Sequence, residues 1–142
     1  MGKNFNGTQI NNSETIVEQA GADIADVRNR AVKYDTDGNV VLTAASTDAA
    51  IGLAIIEAGY NDISGETSGK AATGDDVDIQ IKDIGYAIAS DTIKKGAEVS
   101  GTADGLIKAS AAGDYVLGIA LTAGTKGSYV EVLINRYQKA SA

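Results

Sequence analysis

Four residue types are missing from this 142-residue chain: cysteine, histidine, tryptophan and proline. Without cysteine there is no disulfide framework, no thiolate chemistry and no cysteine metal site, which fits a reducing compartment. Without histidine the usual general base at neutral pH and the commonest nitrogen ligand of zinc are gone. Neither a Ser-His-Asp nor a Cys-His arrangement can be assembled. Catalysis would depend on carboxylates, lysine or tyrosine, so the expectation is a protein that is not an enzyme and holds no cofactor or metal.

Long apolar runs are also lacking. Nothing approaches the roughly 20 residues of a membrane span, and the polar start MGKNFNGTQINNSETIVEQ has no apolar stretch of the secretory kind. Positive charge is scarce, with 12 Lys and Arg against 19 Asp and Glu and a net charge of -7. A chain of this sign repels phosphate backbones, so neither nucleic acid nor membrane is an expected partner. The length suits one domain, able to bury roughly two-thirds of its unfolded surface.

What is present is β-rich and repeated. DGNVVLTAASTDAAIGLAII at residues 37–56 echoes DGLIKASAAGDYVLGIALT at residues 104–122. Asp37-Gly38 aligns with Asp104-Gly105, and Gly52 with Gly118, inside the apolar runs IGLAI and LGIAL. Each copy is followed by a glycine and an alternating segment, GDDVDIQIK and KGSYVEVLINR. Period two with β-branched residues predicts strands. Strands are expected near 30–34, 39–43, 50–56, 76–82, 84–89, 97–100, 105–109, 115–121 and 128–135. The fold class is therefore all-β, a duplicated unit forming a small barrel or sandwich, with copies at about 31–89 and 97–136 within a domain spanning 31–142. Gly52 and Gly118 are read as a barrel corner or strand crossing.

Residues 1–30 have no evident repeat partner and are expected to form an N-terminal arm, extended or with a short helix between Ser13 and Ala25. There Ile16, Val17, Ala20 and Ile24 would share one side, although Gly21 weakens a helix. The loop 57–75, with Tyr60, is the longest irregular stretch and hence a candidate for function.

Asp35, Asp37, Gly38 and Asn39 resemble the opening of a calcium loop. However, the twelfth position is Ser46 where a bidentate Glu is needed, and in the second copy Asp35 becomes Thr102 and Asn39 becomes Leu106. Only Asp-Gly is shared, which predicts turns with positive φ at Gly38 and Gly105. The carboxylates Asp75, Asp76, Asp78 and Asp83 read as a solvated strand face that discourages edge pairing, since no aromatic-lined cleft accompanies them. No dinucleotide, P-loop or nucleophile-elbow motif occurs.

Together, AVKYDTDGNVVLTAASTDAAIGLAII, GDDVDIQIKDIGYAIA and DGLIKASAAGDYVLGIAL resemble the head-fibre and capsid-decoration (head-stabilising) proteins of tailed bacteriophages. The start KNFNGTQINNSETIVEQAGADIADVR is similar to the base of the head-fibre type. The likeness spans most of the chain. It implies a non-catalytic structural virion protein, made in the host cytoplasm and bound to the outer surface of an icosahedral capsid. It implies the major capsid protein as partner and a homotrimer as the assembly. Head fibres carry a long C-terminal extension, whereas this sequence stops soon after its last expected strand, which leaves a short decoration form or a trimmed fibre open. Within this reading, Asn4, Phe5 and Ile10 of the arm are capsid-contact candidates, joined by the basic residues Arg28, Arg30 and Lys33. The alternative is a carbohydrate- or cell-surface-binding β module, carried by Tyr60 and recognising a host-surface glycan.

Overall fold

Alternating branched and polar residues give ten strands in the computed structural model, which describes residues 14–60, 63–64 and 67–141. They are β1 (Thr15–Gln19), β2 (Ala31–Tyr34), β3 (Val40–Leu42), β4 (Gly52–Ala54), β5 (Asp76–Gln80), β6 (Ile84–Ile88), β7 (Glu98–Gly101), β8 (Ile107–Ala109), β9 (Tyr115–Ala120) and β10 (Tyr129–Gln138). They form two five-stranded antiparallel sheets, β1-β5-β4-β2-β3 and β6-β10-β9-β7-β8. The sheets pack as a sandwich. Neither closes into a barrel, so of the two architectures open to the sequence the sandwich is the one adopted.

The second order is the first with every strand number raised by five. The registers agree as well. Val32 faces Gly52 where Val99 faces Gly118, and Leu53 faces Gln80 where Ile119 faces Leu133. Even isolated bridges correspond, with Ala20–Val40 and Ile24–Ala71 in one half and Ala89–Ile107 and Ile93–Gly124 in the other.

This wiring corrects three expectations. Residues 15–30 do not belong to an arm, because Thr15–Gln19 pairs along its whole length with β5, and Ala20, Ile24 and Val27 are buried. The helical spacing of Ile16, Val17, Ala20 and Ile24 is overridden by this partner strand, which satisfies the backbone and buries the alternate residues. Second, the segment 84–89 belongs to the second sheet, so the halves meet between Gln80 and Ile84. Third, β5 lies between β1 and β4, so Asp76 and Asp78 guard no sheet edge.

One core lies within the first half and contains Val27, Val32, Val40, Val77 and Ile79. The other contains Ile93, Val99, Ile107, Leu117, Val130 and Val132 from the second half, and takes in Ala31, Ala50 and Leu53 from the first. Each fully buried Val, Leu or Ile contributes about 1.5–3 kcal/mol, so Leu53 ties the stability of one half to the other.

Candidate functional site

The turn at residues 35–39 joins β2 to β3. The Asp35 N–H donates to the Asn39 carbonyl (2.8 Å), and Gly38 takes φ +84°. The Asp35 carboxylate accepts the N–H groups of Asp37 and Asn39, each at 2.9 Å. Its oxygen is thereby turned inward to its own backbone, an Asx-type arrangement. The second turn keeps the pattern, with the Thr102 N–H donating to the Leu106 carbonyl at 2.7 Å and Gly105 at φ +69°. Among the described residues no group of three or more Asp and Glu could hold a metal ion.

The second turn presses on the first sheet. A Cβ on Gly105 would stand 2.9 Å from the Ala31 carbonyl oxygen. The Gly105 N–H donates to the Thr43 carbonyl (3.1 Å), the Thr43 hydroxyl donates to the Thr102 carbonyl (2.8 Å), and Arg30 Nη1 donates to the Asp104 carbonyl (2.8 Å). Beside this seam opens a groove of about 600 Å³ lined by Asp23, Ile24, Asp26, Arg30, Leu42 and Leu106, among others. Arg30 Nε is buried there without a hydrogen-bond partner.

The basic residues read from the sequence are brought to separate acceptors. Arg28 pairs with Asp26 at 2.8 Å, and Lys33 with Asp48 at 2.9 Å. The Arg28 hydrogen bond holds the Asp26 carboxyl below the usual carboxylate range. Burial works against charge on Asp48, but the amides of Ala44 and Ala45 together with Lys33 outweigh it and lower its pKa. These cations are occupied at home, and only partly exposed pairs of this kind contribute little to affinity. Asn4, Phe5 and Ile10 lie outside the described residues.

Gly52 and Gly118 occupy close approaches between neighbouring strands and not a barrel corner. A Cβ on either would overlap a backbone carbonyl oxygen, of Gln80 and of Leu133 respectively. Tyr60 stands exposed on its loop, whose N–H and carbonyl pair with Lys70 and Gly69. The sequence did not single out the outer face of the second sheet, where Ile84, Tyr86, Tyr129 and Leu133 are all exposed.

No family model matches the chain, and no curated protein matches it. Among solved structures, the head fibre gp8.5 N base of bacteriophage phi29 superposes with a TM-score of 0.59 over 88% of this chain and 96% of that one, at 19% identity. The chain has the fold of a phage head-fibre base. The likeness is one of architecture, as the resemblance of residues 37–56 and 104–122 implied. Alignment over nearly the whole of both chains means that both halves of the duplicated wiring take part in the likeness to the head-fibre base.

Proposed function

We propose that this chain is a non-enzymatic structural virion protein that sits on the outer surface of an icosahedral phage capsid as a head-fibre base, with the major capsid protein as its partner. The observation that supports it is the fold shared with a head-fibre base across almost the entire chain. The absence of His and Cys agrees with a role that is mechanical and not catalytic. Because Arg28 and Lys33 are paired within the chain, the capsid footprint is assigned to residues 2–12, with Asn4, Phe5 and Ile10, which precede the edge strand β1. An apolar and hydrogen-bonded footprint carries such binding better than exposed ion pairs.

Deleting residues 2–12 is expected to leave a folded domain that no longer occupies capsids in a reconstitution followed by electron microscopy. Unchanged occupancy would overturn the assignment. A second reading, a glycan-binding module, draws support from the exposed ring of Tyr60. It requires glycan-array binding that Tyr60→Ala abolishes.

A further inference from the structure

Corresponding loops of the two halves carry opposite charge. In the first half residues 20–28 and 71–75 meet through the Ile24–Ala71 bridge, and in the second residues 89–95 and 124–128 meet through Ile93–Gly124. The first pair of loops holds Asp23, Asp26 and Asp75 against Arg28, a net charge of -2. The second pair holds Lys94, Lys95 and Lys126 against Asp91, a net charge of +2 in a chain whose total is -7.

The charges of the first pair are answered locally. Arg28 pairs with Asp26, Asp23 accepts the N–H and the hydroxyl of Thr73, and Asp75 accepts the Ala72 N–H. Counted from the bridges, Thr92 stands where the first half has Asp23, and Ser128 where it has Asp75. The acceptors have gone, and three ammonium groups have come in. Lys94, Lys95 and Lys126 are all exposed, with no salt bridge among the described residues. Between the loops opens a shallow basin of about 480 Å³, lined by Thr92, Ile93, Lys94, Lys95, Thr125 and Ser128, among others. Lys126 stands on the turn that the Ser128 N–H closes by donating to the Thr125 carbonyl (2.9 Å). Neither loop contains an arginine or an aromatic residue.

We infer that this basin binds a flexible polymer whose negative charges are phosphate groups, such as a chain of phosphodiester-linked polyols or sugars. A lysine ammonium is a compact point charge that suits phosphate, whereas the arginine fork is the better match for a carboxylate. Loops of Lys, Thr, Ser, Ala and Gly also lack the arginine and aromatic anchors on which protein interfaces depend. Duplex DNA is stiff and would lay its phosphates over the acidic remainder of the surface. A flexible chain can touch the basic loops alone, because charges more than about 10 Å away are screened at roughly 0.1 M salt. The hydroxyls of Thr92, Thr125 and Ser128 supply neutral donors beside the ammonium groups. This inference stands on the two pairs of loops and is independent of the capsid reading.

The test is calorimetric titration of the full chain with long-chain inorganic polyphosphate, without capsids. The wild type is expected to bind. Three neutralised phosphates at roughly 0.7 each give a log–log salt slope of about -2, so a fourfold rise in salt should weaken binding on the order of 16-fold. The triple variant Lys94→Gln, Lys95→Gln, Lys126→Gln is expected to lose binding with unchanged thermal unfolding, since all three side chains are exposed. The double variant Lys70→Gln, Lys82→Gln removes exposed lysines elsewhere and should bind as the wild type does. No binding by the wild type, undiminished binding by the triple variant, or equal loss in the double variant overturns the inference. Tighter binding of poly-L-glutamate would assign the basin to an acidic protein, and tighter binding of duplex DNA to nucleic acid. Either result overturns the flexible phosphate chain as its occupant.

Discussion

Gly52 and Gly118 hold the same site in two different sheets, each directly against a carbonyl oxygen of the next strand. A side chain at either would force β4 from β5, or β9 from β10. Alanine at each is expected to cost about 3 kcal/mol, a size reserved for backbone displacement and core disruption. Gly74→Ala, where φ is +92° and the space is open, should cost only about 1 kcal/mol. Urea unfolding midpoints of the three variants would check the ranking.

Leu53 is a residue of the first sheet buried in the second core. Leu53→Ala is expected to lose about 2–5 kcal/mol. It should also preserve a single transition, seen at one midpoint by circular dichroism and by tyrosine fluorescence. Two separated transitions would mean that the halves fold independently.

The Asp35 carboxylate is engaged by two backbone N–H groups. Asp35→Ala is expected to cost about 1 kcal/mol, the typical net contribution of such bonds. Calcium should shift the melting temperature of neither form. A calcium-dependent rise in the wild type that the variant lacks would restore the metal-loop interpretation.

Acid should loosen the seam between the halves. Burial opposes charge on Asp114, but the Ala111 N–H and the Ser46 hydroxyl, with Lys108 and Lys139 nearby, lower its pKa on balance. Asp48 and Asp26 are lowered too. Each of these groups holds its proton less tightly folded than unfolded. Their stabilisation is therefore complete above the ordinary carboxylate range, about pH 4 and higher. It is lost as pH falls through the depressed folded values. The unfolding midpoint should drop as pH falls below about 4, and Asp114→Asn should flatten that slope.

Nine strands were legible because each carries its period in its own residues, as in Val77 and Ile79 or Val130 and Val132. Strand β1 was not, since Ile16, Val17, Ala20 and Ile24 fit a helical stripe as well. The pairing with β5 decides between the two, and sequence spacing does not contain it. One signal was available: Ala20 and Ile24 recur four apart as Ala89 and Ile93, which would have extended the repeat upstream. The adjacency of Arg28, Arg30 and Lys33 suggested a shared basic patch, but adjacency says nothing about acceptors that arrive from residues 26, 48 and 104. The exposed sheet face was hidden for a related reason. Ile84, Tyr86, Tyr129 and Leu133 look like core residues in sequence, and only their outward register reveals them.

The passage from β5 to β6 takes three residues, 81–83, and it is held at both ends. The Gln80 amide grips the carbonyls of Lys82 and Ile84, and the Ile134 N–H donates to the Asp83 carbonyl at 2.8 Å. Three hydrogen bonds across so short a connection tether the two sheets where the chain passes between them, so bending the molecule at this point has to break them.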